Sequence, residues 1–407
     1  MARRPFALAA AFAFIAAATL IPAPADAWQR DFWCIRCGGS LDPVELALNV
    51  LLFLPLGLAL RAAGIRARVA LTIVAGTTVG IEILQYTLIV GRDGTLRDCI
   101  TNALGGVAGF ALQPHAGVLW RADRTPARRV AWAGAFAWIA HAAMASILFR
   151  PSSTPHQYFS QVAPHLGQFD VFGGTVLSAS VDGVRVESDT FTRDLEARVR
   201  TADSIALAGV VLPGPPVARV APIVNVVDGM ANEIVILAQQ RTALEFQARV
   251  RGQDFGFHAP AVVIDDVFVA SATPAPAPML LAGVRREYTL RLRATNAKSE
   301  TREAWLTLSP SLGWALWWPF DYPGRAALVW MTAAWIFIPL ALVGFWSGGL
   351  GAPLVAAIGA QVLVPMALGP GSVAWPDIVV AAMGVLAGLA GGRLRSAAGN
   401  ETLGASG

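Results

Sequence analysis

The apolar residues of this 407-residue chain form long uninterrupted runs at both ends and short alternating runs in the middle. A bilayer core about 30 Å thick needs roughly 20 apolar residues of helix. Eight windows meet or approach that length: 5–22, 44–62, 69–90, 97–113, 130–149, 325–346, 353–368 and 373–392. The fourth and seventh are short and interrupted by Gly or Pro. Residues 151–324 instead carry short runs at 175–181, 184–187, 195–200, 205–212, 234–238, 244–250, 262–269, 288–293 and 305–308. In Leu195-Glu196-Ala197-Arg198-Val199-Arg200 apolar and polar positions alternate, as on a strand with one buried and one wet face. Asp182-Gly183, Pro213-Gly214-Pro215-Pro216 and Asp228-Gly229 punctuate the runs. Many short strands between such turns predict a β-sandwich or jelly roll. The expected fold is therefore a multi-pass α-helical membrane protein with an inserted extracytoplasmic all-β sandwich.

Composition sharpens this picture. The chain is 55% hydrophobic and 14% charged, with a mean hydropathy of +0.54. A soluble domain is about 25% charged, so a wholly soluble or disordered protein is excluded. Of the 27 acidic residues, 17 lie in 151–324, which marks that segment as the water-exposed part. The net charge of +4 comes almost entirely from Arg, since Lys298 is the sole lysine. No basic face builds up, and no nucleic-acid partner is expected.

Arginine placement orients the spans, because short cytoplasmic loops collect positive charge. Arg3 and Arg4 precede the first span. Arg61, Arg66 and Arg68 separate the second from the third. Arg121, Arg124, Arg128 and Arg129 separate the fourth from the fifth, and Arg393 and Arg395 follow the eighth. Strict alternation from a cytoplasmic N-terminus puts all of these on one side and the sandwich on the other. The domains are then 1–150 (helical), 151–324 (sandwich), 325–395 (C-terminal helices) and 396–407 (a cytoplasmic tail). The first span has a second reading. Arg3-Arg4, an apolar run to Ile21 and Ala25-Asp26-Ala27 have the form of a signal peptide, whose removal would leave seven spans.

Polar residues within the first four spans cluster at one depth. Glu82 is the one charged residue between Val69 and Val90, about 12 Å from the outer end of its helix at 1.5 Å per residue. A carboxylate in hydrocarbon costs about 2.5–3.5 kcal/mol or more, so it faces a bundle interior and has a partner. Gln85 follows one turn later. The next loop carries Arg92 and Arg97-Asp98, the fourth span Asn102, and the second span Asn49 near its outer end. Gly105, Gly106 and Gly109 permit close helix approach. Two compatible readings follow. The cluster locks three helices together, or it opens outward as a polar pocket. In the second, Arg92 or Arg97 grips an anion, since guanidinium forks suit phosphate and carboxylate, and Glu82 or Asp98 orients it or acts as base.

The same residues carry a resemblance. Asn49-Val-Leu-Leu-Phe-Leu-Pro-Leu-Gly57, then Glu82-Ile-Leu-Gln85, Arg92, Arg97-Asp98, Asn102 and Gly105-Gly106, resemble the VanZ-like membrane protein family over roughly residues 5–150. Cys34-Ile-Arg-Cys37-Gly is similar to a stretch in some members. The middle domain, at segments such as Leu244-Glu-Phe-Gln-Ala-Arg249, resembles the laminin-G-like or concanavalin-like sandwich fused to some of them. The resemblance implies a bacterial envelope protein of the inner membrane, in a family whose founding member is associated with teicoplanin resistance. Fold alone does not carry a sandwich's glycan binding to a new chain.

Other chemistry is sparse. Cys34 and Cys37 form a CxxC outside the membrane, read as a small disulfide or free thiols; no further ligand pair completes a zinc site. No Walker loop, GxSxG, HExxH or dinucleotide fingerprint occurs. No cofactor or metal is expected. The expected partners are a membrane lipid or lipid-linked glycan and, at the sandwich, a cell-envelope glycan. Ligand binding is the leading expectation, with Asn49, Glu82, Gln85, Arg92, Arg97, Asp98 and Asn102 as the site. An envelope-modifying enzyme using Glu82 or Asp98 ranks below it for want of a nucleophile. A scaffolding role for the sandwich is the third reading.

Overall fold

The computed structural model describes residues 3–21, 32–35, 42–89, 92, 94–120, 124–165, 169–187, 197, 199, 204–269, 277–318 and 325–404. Its contacts divide the chain into two units, residues 1–127 with 255–257 and residues 128–254 with 258–407.

The first unit is helical: α1 (Arg3–Thr19), α2 (Pro43–Ala62), α3 (Ala67–Thr87) and α4 (Leu96–Trp120). Asp42 caps α2, its Oδ1 accepting the Val44 and Glu45 amides at 2.9 and 3.1 Å, with Pro43 at the first helical position. Ala11, Ile15, Phe53, Leu56, Leu60, Val74 and Ile81 form the apolar core of the unit. Glycine sets the α2–α4 spacing. A Cβ on Gly105 would strike the Val50 carbonyl, and one on Gly109 the Leu54 carbonyl. Only a bare Cα lets these backbones approach so closely.

The second unit combines helices α5 (Arg124–Leu148), α6 (Arg325–Ser347), α7 (Gly351–Leu368) and α8 (Trp375–Gly404) with all the described strands. Small residues of α5, Ala131, Ala135 and Ala142, pack with Ile336, Leu340, Ala356, Ala360 and Ala381. Thus α5 belongs by packing with the later helices, whereas the sequence pattern groups it with the first four. One π-helical turn, Gly359–Leu363, interrupts α7.

Among the described residues six helices are long and apolar enough to cross a membrane: Pro43–Ala62, Ala67–Thr87, Pro126–Leu148, Ala327–Ser347, Gly351–Leu368 and Trp375–Arg395. The sequence windows gave eight. The apolar part of α1, Phe6–Thr19, is too short. The helix α4 has the length but falls outside the set; its first turns hold Arg97, Asp98 and Asn102.

The strands are β1 (Tyr158–Val162), β2 (Thr175–Val181), β3 (Val184–Val186), β4 (Ser204–Leu212), β5 (Val220–Asp228), β6 (Glu233–Gln240), β7 (Ala243–Ala248), β8 (Ala261–Ile264), β9 (Met279–Arg286), β10 (Thr289–Thr295) and β11 (Thr301–Thr307). They form two antiparallel sheets, ordered β1-β5-β6-β7-β8 and β11-β10-β9-β4-β2-β3. Burial on β4 alternates residue by residue, the signature of a strand with one covered face. The sheets meet face to face where glycine makes room: the Phe246 ring of β7 occupies the space a Cβ on Gly283 of β9 would need. Residues 195–200 depart from the sequence reading. Ala197 and Val199 are helical, and the rest of that run lies outside the described residues. Alternation over six positions does not separate a strand from a short helix with a charged rim.

The turn between β5 and β6 hangs on Asp228, whose carboxylate accepts the Met230 and Asn232 amides at 2.9 and 2.8 Å and the Asn232 side chain. Burial raises its pKa, but the hydrogen bonds outweigh this and hold it below the usual carboxylate value. Asp228→Ala is expected to cost about 1–3 kcal/mol in unfolding of the detergent-solubilised full chain. A depressed native pKa stabilises above the ordinary carboxylate value and loses that effect as pH falls through the native one. Asp228→Asn should therefore flatten the loss of stability on acidification; an unchanged acid profile would show that the turn does not depend on this charge.

Candidate functional site

Thr95 precedes α4 and caps it, its Oγ1 accepting the Asp98 amide at 3.2 Å and donating to Asp98 Oδ2 at 2.7 Å. In a capping box the residue-98 carboxylate would also take the Thr95 amide. Here that amide instead donates to Glu82 Oε2 of α3, at 3.0 Å. The exchange frees Asp98 Oδ1 to accept Asn49 Nδ2 of α2 at 2.8 Å. Asn102, one turn into α4, donates through Nδ2 to Glu82 Oε1 at 3.2 Å and to Thr78 Oγ1 at 3.1 Å. One helix N-terminus is thus tied to two other helices by carboxylate, amide and hydroxyl groups. Glu82 and Asn102 are each 2% exposed, so these bonds stand outside solvent competition.

Arg97 points the other way. Its Nη2 pairs with Glu45 Oε2 in the first turn of α2, and its Nε lies 3.7 Å from Asp98 Oδ1. At 3% exposure it is the buried counter-ion of two carboxylates. Gly94 belongs to the same construction, since a Cβ there would meet the Glu82 carbonyl. Two of the expected site residues do not join this network. Gln85 Nε2 donates to the Thr19 carbonyl at 2.9 Å, and Arg92 Nε to the Ile21 carbonyl at 3.2 Å, both at the C-terminal end of α1. They fasten the first helix to the α3–α4 connection. Arg92 remains partly open to solvent.

The geometry therefore gathers Asn49, Glu82, Arg97, Asp98 and Asn102, and sets Gln85 and Arg92 on the rim. Sequence reasoning missed Glu45, Thr78 and Thr95. The spacing Thr95-x-x-Asp98 was the signal for Thr95, and Asp42-Pro43 with Glu45 the signal for a charged first turn of α2. Thr78 sits one turn before Glu82, where a hydroxyl is lost among apolar neighbours. With Glu45, Glu82 and Asp98 against Arg97, the cluster is rich in acid. Among the described residues, no group of three or more His, Cys, Asp or Glu is arranged to hold a metal. Cys34 is disulfide-bonded and Cys99 is free and buried; Cys37 lies outside the described residues.

Glu82→Ala would leave the Thr95 amide and the Asn102 side chain without an acceptor. A loss of about 2–4 kcal/mol in thermal unfolding is expected, with Glu82→Gln milder because one carbonyl oxygen remains. Equal melting of both variants and wild type would remove Glu82 from the frame.

Residues 6–119, which contain every residue of this network, match the VanZ/LLP1 family model. No curated protein and no solved structure matches the chain. This N-terminal helical module is thus similar to the VanZ/LLP1 family, in a membrane protein whose described residues include six helices long and apolar enough to span a bilayer.

Proposed function

We propose that the VanZ/LLP1 module binds an anionic, lipid-borne component of the bacterial envelope, with Arg92 as the contact and the Glu82 network as the rigid frame behind it. The observation that carries this is the different state of the two arginines. Arg97 is buried against Glu45 and Asp98, and an anion approaching it meets those carboxylates first. Arg92 uses only Nε in the bond to Ile21, and among the described residues it has no acidic partner. Its remaining guanidinium donors suit a phosphate or carboxylate. In this reading the protein lies in the cytoplasmic membrane with both termini inside and the sandwich outside, as the arginine distribution supports. A glycan-bearing lipid fits as the ligand, its charged group at the membrane surface.

A second reading, an envelope-modifying enzyme with Glu82 or Asp98 as base, draws on one observation. Asn102 Oδ1, beside Glu82, is buried without a hydrogen-bond donor among the described residues. It ranks second because both carboxylates already accept fixed donors from neighbouring helices.

Native mass spectrometry of the solubilised protein with phosphatidylglycerol and phosphatidylcholine separates the arginines. Arg92→Ala is expected to weaken retention of the anionic lipid about tenfold, the effect of losing one charge-assisted hydrogen bond, with melting lowered far less than in Arg97→Ala, since the Ile21 bond it gives up is exposed. Arg97→Ala is expected to lower the melting temperature. Wild-type retention of phosphatidylglycerol by Arg92→Ala would overturn the assignment.

A further inference from the structure

Within the second unit, two independent contacts fix where the sandwich stands on the membrane helices. At the end of α5 the Arg150 carbonyl accepts the Arg251 amide at 2.8 Å, and Pro151 bridges to Val250. At the end of α7 the Leu368 carbonyl accepts the Tyr288 hydroxyl at 3.2 Å, from the turn between β9 and β10. Both helices are long and apolar enough to cross a membrane. Arg150 and Arg251 at the first junction, and Arg285 and Arg286 at the second, therefore sit at the level where hydrocarbon gives way to headgroups. Arg150, Arg251 and Arg286 are exposed.

Arg285 is the anomaly. On β9 it takes the inward position, in register with buried Ile205 of β4 and buried Leu290 of β10. It is 7% exposed, and among the described residues Nη1 makes its one hydrogen bond, to the Arg249 carbonyl at 3.2 Å. Its Nε is buried without a partner, and among the described residues no carboxylate pairs with it. Burial pulls its pKa down to about 10, which still leaves it charged at neutral pH. Among the described residues Arg249 beside it has one acid, Asp254, bonded to Nη2 at 2.9 Å, while its Nε is also buried without a partner. Glu287, in the hairpin turn, bonds none of these arginines. A buried guanidinium without a counter-charge is a large cost that neighbouring exposed arginines raise further. An anion arriving from outside the chain removes it.

We infer that the foot of the sandwich is a second anion site, built to take the phosphate of an anionic phospholipid in the leaflet on which the sandwich stands. Arg285 and Arg249 supply the buried donors, and Arg150, Arg251 and Arg286 supply the surrounding positive field. The position of these residues at two span ends selects a lipid headgroup over a free anion. Basic side chains at that level are attracted to anionic lipid. The site uses no residue of the VanZ/LLP1 module and stands whether or not Arg92 binds lipid.

The test is site-resolved. The full chain is reconstituted in phosphatidylcholine vesicles carrying a photoactivatable phosphatidylglycerol, and cross-linked peptides are mapped by mass spectrometry. Cross-links are expected in the peptides spanning 249–254 and 285–289, at wild-type level in Arg92→Ala. Arg285→Gln should reduce them about tenfold. Should Arg285→Gln not fold, the exposed pair Arg251→Gln with Arg286→Gln decides, with a loss of about tenfold or more. A photoactivatable phosphatidylcholine labelling these peptides equally would overturn the inference, as would full labelling in a folded Arg285→Gln or in the exposed pair. Displacement of the cross-links by inorganic phosphate would overturn the lipid assignment and give the site to the free anion.

Discussion

The hydrogen bond from the Thr95 amide to Glu82 is the constraint on which the helical module turns. A helix N-terminus carries amides with no partner inside the helix. In α4 one such end is met by a carboxylate from the C-terminal part of a neighbouring apolar helix. Neither group is comfortable alone in that setting, and each answers the other. Once Glu82 takes the Thr95 amide, Asp98 is released to bind Asn49, Asn102 finds Glu82 and Thr78, and Arg97 turns back to Glu45. The glycine contacts of Gly105 and Gly109 bring α4 close enough to α2 for the short Asn49 side chain to reach Asp98.

This arrangement divides labour between charges that look alike in the sequence. Arg97 and Arg92 are five residues apart and both flank the outer end of a predicted span, yet one is an internal counter-ion and the other faces outward. Their difference follows from position. Arg97 is in the first turn of α4, beside Glu45 in the first turn of α2, whereas Arg92 is in the loop and meets only a carbonyl. An acid-rich, hydrogen-bonded interior makes a stiff support for a surface contact. At the foot of the sandwich the balance is reversed: arginines outnumber their acidic partners, and the most buried of them has none among the described residues.

Much of this was legible in the sequence where a physical signal is local. Apolar run length gave α2, α3, α5 and the C-terminal helices, since hydrocarbon thickness sets their length directly. Period-two runs with Gly and Asp turns gave β2, β4 and β10, and a short apolar run gave β6. The cost of a lone carboxylate in an apolar helix singled out Glu82, and its partner Asn102 was named with it. What escaped was what packing decides. β5 is buried on both faces, so its sequence does not alternate. Gln85 shares a helix face with Glu82 by spacing, yet the end of α1 captures it first. The affiliation of α5 rests on alanines, which read as generic spacing until Ile336 and Leu340 are seen against them. Arg285 carries no signal in the sequence, because only strand register shows that it points inward.

The central claim is that the α4 N-terminus is held by the Glu82 carboxylate and not by the bilayer or by helix propensity alone. Amide hydrogen exchange over residues 94–102, in the reconstituted full chain and in Glu82→Ala, measures this most directly. The account predicts fast exchange across the first turn of α4 in the variant, with α2 and the sandwich strands protected as before. Unchanged protection at Thr95 and Asp98 would contradict it.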